Sequence, residues 1–245
     1  MFRVPARQNH QLMRRIVRKL VRRWRVFWLS RAGYGFWGRI GSRLAGFGMG
    51  GYRTQATLAW MTRKGFISPD AEIDVDLRLG SNVYVADRAV ILRSGGDGFI
   101  ELHDGVQINR DCTLEIFEGG SITIGQQVGL QRGCMLIAAE QPIIIGRRAE
   151  IGPYCAILSY DHGTAAGREI FGQPLTSKGP VIIGEDAWLG TRVTALSGVT
   201  IGRGAVIGAG SVVVCDIPDH AIAAGVPARV IKYRSDAAVG GNTGT

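Results

Sequence analysis

GPVIIGEDAWLGTRVTALSGVTIGRGAVIGAGSVV, residues 179–213, repeats with a six-residue beat. Aliphatic or small apolar residues fall at Ile183, Leu189, Ala195, Ile201, Ile207 and Val213 in one unbroken register. Four residues after each comes a small or branched side chain: Ala187, Val193, Val199, Ala205, Ser211 and Ile217. Glycine follows the leading aliphatic at Gly184, Gly190, Gly202 and Gly208. A fixed internal period is settled first, because it dictates the architecture.

Side chains alternate across a strand, so positions two apart face the same way. The leading aliphatic and the small residue two before it therefore point inward, and glycine lets the chain turn between them. Six residues make one short strand and one corner. Upstream the beat runs in groups of three: Leu102, Ile108, Leu114; then Ile124, Leu130, Leu136; then Ile145, Ile151, Ile157. Inserts of four and three residues separate those groups. Three hexads close a triangular coil, and stacked coils pair as parallel strands around a continuous aliphatic core. An α/β sheet would need a helix between parallel strands, and no helical pattern lies between these hexads. The expected class is all-β, a parallel β-helix over residues 67–235, preceded by a helical segment over 1–66 and followed by a flexible tail over 236–245.

Composition fits a turn-dense solenoid, with 36 glycines in 245 residues. Cys112, Cys134 and Cys155 each occupy the small inward slot of a hexad, one coil apart. That pattern suits apolar core residues better than a stacked thiol or metal site. No zinc-type spacing and no disulfide framework appear, which points to a reducing compartment.

The beat stops for about twenty residues between Ile157 and Ile183, and the loop 158–180 that fills the gap carries His162. A purely structural β-helix has no use for such an insert. Trp188 lies between inward Ala187 and inward Leu189 and so points outward, where a tryptophan normally meets a ligand or a partner.

Charge is segregated. Residues 1–66 contain 15 Lys and Arg and no Asp or Glu, while the rest of the chain has 14 basic and 20 acidic residues, a net of −6. Met13, Ile16, Val17, Leu20, Trp24, Phe27 and Trp28 follow helical spacing, with Arg14, Arg15, Arg18, Lys19, Arg22, Arg23 and Arg25 mostly on the other side. A basic amphipathic helix with tryptophans reads as an element for an anionic membrane surface, here residues 1–30. The competing reading is a cap over the open strand edge of the β-helix. Nucleic-acid binding lacks a motif. No apolar run is long enough to span a bilayer, and the segment lacks the apolar core and cleavage site of a signal peptide.

Three stretches carry a resemblance: SYDHG (159–163), GPVIIGEDAWLGTRVTALSGVTIGRGAVIGAGSVV (179–213) and DIPDHAIAAGVPARVI (216–231). They resemble the hexapeptide-repeat acyltransferases, in the branch with galactoside and maltose O-acetyltransferases and enzymes that acetylate surface polysaccharides. The resemblance covers about 67–232 and implies a left-handed coil, opposite to the general crossover rule. It implies acetyl-CoA as co-substrate, a saccharide acceptor, a homotrimer with sites between subunits, and no metal or permanently bound cofactor. His162 matches the catalytic histidine, which takes the proton of the attacking hydroxyl in a direct transfer. Asp161 is the candidate to orient it. Trp188 and Arg132 fall at acceptor positions; Arg132 stands where galactoside enzymes have asparagine, which argues against a simple galactoside. Gly190, Thr191, Ala209 and Gly210 match backbone along the pantetheine, and Arg229 and Lys232 match cations against the coenzyme phosphates, with Arg203 a possible addition. Val214 and Cys215 replace the Thr-Lys of close family members.

The implied activity is acyl-CoA-dependent O-acetylation of a sugar in surface-polysaccharide or lipopolysaccharide assembly, in the cytoplasm and peripheral to the membrane. Amino-sugar N-acetylation or xenobiotic acetylation stands as the alternative enzyme reading, and a catalytically silent membrane-bound scaffold as the alternative without chemistry.

Overall fold

The computed structural model describes residues 6–49 and 52–235; the tail expected at 236–245 lies outside the described residues. The chain from Phe66 onward is a parallel β-solenoid of about seven turns with three faces. Face 1 begins at Phe66–Ile67, face 2 at Glu72–Asp74 and face 3 at Leu77–Leu79, and each later coil revisits the faces in the same order. The periodic residues form the ladders expected of them. Ile108 pairs with Leu130, Leu130 with Ile151, Ile151 with Leu189 and Leu189 with Ile207 on face 1. On face 3, Ile124 pairs with Ile145, Ile145 with Ile183 and Ile183 with Ile201. All of these are buried in one continuous core. The solenoid starts earlier than the hexads counted from Leu102: Ile67 pairs with Val85 and Val85 with Ile108.

The corners work differently from the sequence expectation. The glycines after each leading aliphatic do not adopt left-handed backbone. They are needed because the next coil lies against them: a Cβ on Gly184 would sit 2.5 Å from the Arg203 backbone N, and one on Gly190 would sit 2.7 Å from that of Ala209. The left-handed position comes two residues later and is often not glycine, as at Tyr154 (φ 60), Asp186 (φ 58) and Arg192 (φ 58). Each such residue costs about 1 kcal/mol relative to ordinary backbone, offset by the ladder bonds that the corner permits.

The three core cysteines stack as expected. Each thiol donates to a carbonyl of the following coil: Cys112 to Gln131, Cys134 to Gly152 and Cys155 to Gly190, all at 3.1 Å. The Cys112 contact and burial push Cys134 up to about 12, and Cys155 is pushed up by Cys134 and by burial. Cys112 gains a hydrogen bond and is lowered, yet it is sealed in the core like the others.

Among the described residues, three helices precede the solenoid: α1 (Ala6–Leu29), α2 (Phe36–Gly46) and α3 (Tyr52–Ala59). Leu29, Ala45 and Leu58 of the helices, with Ala32 from the link between α1 and α2, form a second core against Phe66, Tyr84 and Ala86 on the outside of face 1. Asn82 fastens this cap by donating from Nδ2 to the Ala59 and Thr62 carbonyls, each at 2.9 Å. The cap thus covers the first coils from the side, while much of α1 stays uncovered.

Two outcomes follow. Gly184→Ala should destabilise the fold by about 1–3 kcal/mol through overpacking, read as a lower urea midpoint at unchanged slope. Native protein should expose one thiol, Cys215, to Ellman's reagent, and denatured protein all four; rapid reaction of a second native thiol would refute the sealed stack.

Candidate active site

The strand ladder passes the long insert without a break. Ile157 pairs with Ala195 as directly as Leu136 pairs with Ile157 one coil earlier. The extra residues therefore leave sideways, at the corner between faces 2 and 3. They form an antiparallel hairpin in which Asp161 pairs with Thr176 and His162 with Leu175. Ser159 anchors the base: it is fully buried, and its Oγ donates to the Gln141 carbonyl at 2.7 Å. Ser177 Oγ donates to the Ser159 carbonyl at 2.6 Å. Further out, the Gln173 amide bridges Ala165, accepting from its N–H at 2.9 Å and donating to its carbonyl at 3.2 Å.

This scaffold presents His162 at the surface. Its ring stands edge-on to Tyr160, with centroids 6.2 Å apart, and Tyr160 stands edge-on to Phe117 at 5.3 Å. Tyr160 and Phe117 were not among the sequence candidates. Asp161 does not reach the imidazole. Strand alternation sends it to the other side, where Oδ2 accepts a 2.5 Å hydrogen bond from Ser197 Oγ. That bond ties the hairpin to the next coil, so Asp161 holds the element that carries the histidine rather than the histidine itself.

Arg132 also lies elsewhere than its expected register, one coil before the histidine. Strand pairing of Ile137 with Leu158 sets Ala139 and Gln141 beneath the hairpin base. Arg132 instead lies under Tyr154, whose N–H donates to its carbonyl at 2.9 Å, on the corner between faces 1 and 2. There it faces Asp111 at 3.4 Å. The Asp111 carboxyl is held low first by Arg88, with Arg132 a smaller contributor.

The same corner gathers most of the expected coenzyme residues. Trp188 projects from face 1 beside it and is 55% exposed. Gly190 and Thr191 form the turn, Ala209 and Gly210 lie directly above, and Gly210 N–H donates to the Thr191 carbonyl at 2.8 Å. Gly225 N–H then reaches Ser211 Oγ at 3.1 Å, bringing in the terminal hairpin. Arg229 sits opposite Ala224 in that hairpin, with Nη1 3.9 Å from Cys215 Sγ. Lys232 is opposite Ile222, which continues the outer column of Val206 and Trp188. Arg203 lies on another corner, between faces 3 and 1, where its N–H donates to Asp219 Oδ1 at 2.8 Å. Glu150, one strand step from Trp188 on that outer column, has its carboxyl pushed up by partial burial. Among the described residues no cluster is placed to hold a metal ion.

The site residues therefore form two groups. Trp188 and most of the expected coenzyme positions share one corner, and His162 projects from the next, with face 2 between them. The hairpin tip ends in Ile170 and Phe171, the latter 94% exposed.

A family model described as bacterial transferase hexapeptide (six repeats) matches residues 180–215. A Mycobacterium tuberculosis protein named as an acetyltransferase is 37% identical over 139 residues, 55% of this chain and 44% of that protein. The Escherichia coli protein WbbJ, named as a lipopolysaccharide biosynthesis O-acetyl transferase, is 32% identical over 143 residues, 56% of this chain and 72% of its own length. The chain thus spans less than half of the mycobacterial relative. Among solved structures, the polySia specific acetyltransferase NeuO shares the fold with a TM-score of 0.57 at 24% identity, over 69% of this chain and 73% of that one. An acetyltransferase of Bacillus cereus gives 0.53 at 25% identity, over 68% and 86%.

Proposed function

The chain belongs to the hexapeptide-repeat acetyltransferases, and within that family we propose that it moves an acetyl group from acetyl-CoA to a sugar hydroxyl, with His162 as general base. The observation that carries this reading is the hairpin. It is the one place where the solenoid spends about twenty residues outside its ladder, and its anchored stem delivers a surface imidazole.

The chemistry is a direct transfer. His162 takes the proton of the acceptor hydroxyl as its oxygen attacks the thioester carbonyl, and the C–S bond then breaks. The coenzyme leaves as a thiolate and receives that proton from the imidazolium. Acetyl ester and free thiol are the products, and the histidine ends neutral. Gly190, Thr191, Ala209 and Gly210 offer small side chains and backbone to the pantetheine arm. Arg229 and Lys232 supply positive charge for the coenzyme phosphates. Trp188 gives the sugar ring an apolar face to lie against. A saccharide acceptor in lipopolysaccharide or surface-polysaccharide assembly agrees with the name of the Escherichia coli relative. A cytoplasmic reaction agrees with the supply of acetyl-CoA and with the free core thiols.

The two groups of site residues sit on different corners of one chain, so a complete site requires a second copy. The hairpin of one subunit, tipped by Phe171, would reach the Trp188 corner of the next, and the three-faced solenoid closes such contacts as a cyclic trimer.

Incubation with labelled acetyl-CoA and a panel of glycans, amino sugars and aminoglycosides tests the reaction. Label released from the product by mild alkali marks an ester; alkali-stable label would make it an N-acetyltransferase. His162→Ala should lower kcat by about 10²–10⁴ with coenzyme affinity and melting temperature kept; near-normal turnover removes His162 from the mechanism. Native mass spectrometry should find three copies at micromolar concentration. Phe171→Glu should weaken assembly and turnover together, and a stable, active monomer would end the shared-site reading.

A further inference from the structure

The N-terminal helices leave a surface that acetyl transfer does not use. In α1, Met13, Ile16, Val17 and Leu20 fall on one side of the helix, and all are exposed, Leu20 at 59%. Arg14, Arg15, Arg18 and Arg22 occupy the opposite side and are equally open. The helix is not loose at its other end. Leu29 is buried in the cap, and Trp24 Nε1 donates to the Leu44 carbonyl at 3.2 Å. That bond fixes α1 against α2, whose small residues Gly41, Ser42 and Ala45 face inward. The outer side of α2 then adds Phe36 and Trp37 to the uncovered apolar surface, the latter 77% exposed.

We propose that this face of α1 and α2 docks the protein on an anionic lipid bilayer. Charge selects the occupant. The first 66 residues carry 15 cations and no carboxylate, so a second copy of the same face would set like charges against one another, whereas anionic headgroups neutralise them. A nucleic acid would satisfy the arginines but not the exposed apolar stripe. A bilayer interface satisfies both, with the apolar side sunk into the headgroup boundary and the arginines lying among the phosphates. No helix among the described residues is long and apolar enough to cross a membrane, so the attachment lies flat. It is independent of the acetyltransferase reading, because it uses no residue of the candidate site.

Flotation of the full chain with vesicles tests it. The protein should rise with phosphatidylglycerol-rich vesicles at low salt and stay down with pure phosphatidylcholine. Arg18→Gln should weaken binding about fivefold, the worth of one cation at an anionic surface. Leu20→Gln should weaken it by roughly tenfold or more, from lost apolar burial. Both variants should keep wild-type melting and wild-type turnover on a soluble acceptor. Failure of wild-type protein to float at low salt overturns the proposal, as does unaltered binding by both variants. A fall in oligomer mass in Leu20→Gln, with wild type indifferent to vesicles, would assign the face to a second copy instead.

Discussion

Each coil of this solenoid must find its strand hydrogen bonds in the coils above and below. Parallel strands lie about 4.8 Å apart, and that spacing leaves no room for a Cβ at Gly184, Gly190 or Gly202. The inward ladders fix the register at the same time, since slipping Ile183 by one residue against Ile145 and Ile201 would turn the aliphatic row outward. A chain under this constraint cannot add residues within a strand. It can add them only at a corner, where they leave the ladder sideways.

The departures gather at the corner between faces 2 and 3. Strands Thr113–Phe117 and Met135–Ala139 run on past the usual two or three residues, and one coil later the His162 hairpin emerges. The lengthened strands build a ledge under the hairpin: Phe117 meets Tyr160, and Ala139 N–H donates to Ser159 Oγ at 3.1 Å. The corner between faces 1 and 2 keeps its regular length over the same coils. The separation of His162 from the Trp188 corner is thus a consequence of where the ladder tolerates length.

Much of this was legible because inward positions answer to the ladder alone. Ile183 through Val213, the three core cysteines and outward Trp188 occupy the orientations that two-residue alternation demands. What escaped depends on neighbours distant in sequence. Left-handed corners at Tyr154 and Arg192 carry no residue signature, because the stacked ladder, not local preference, holds them there. The partner of Asp161 is Ser197, 36 residues away, and strand direction rather than adjacency decides it. Arg132 follows Leu130 on face 1 and so turns the corner into face 2, whereas His162 follows Ile157 on face 2 and lies one corner further on. The helical segment expected over 1–66 divides into α1, α2 and α3, with glycines at 33, 35, 38, 41 and 46 between α1 and α2 and within α2. Two of these glycines serve close packing: a Cβ on Gly38 would sit 2.7 Å from the Gly33 backbone, and one on Gly41 would sit 3.0 Å from the Arg31 backbone.

The charge segregation acquires a spatial meaning from the same ladder. Cap residues pack beside Phe66 and Tyr84, on the first two strands of face 1. Trp188 stands five strand steps from Phe66 on that face, about 24 Å along the axis at the usual strand spacing. A β-solenoid is stiff over such a distance because every step is hydrogen-bonded. The basic, apolar end and the Trp188 corner are therefore held at a constant separation by the fold, without a hinge between them.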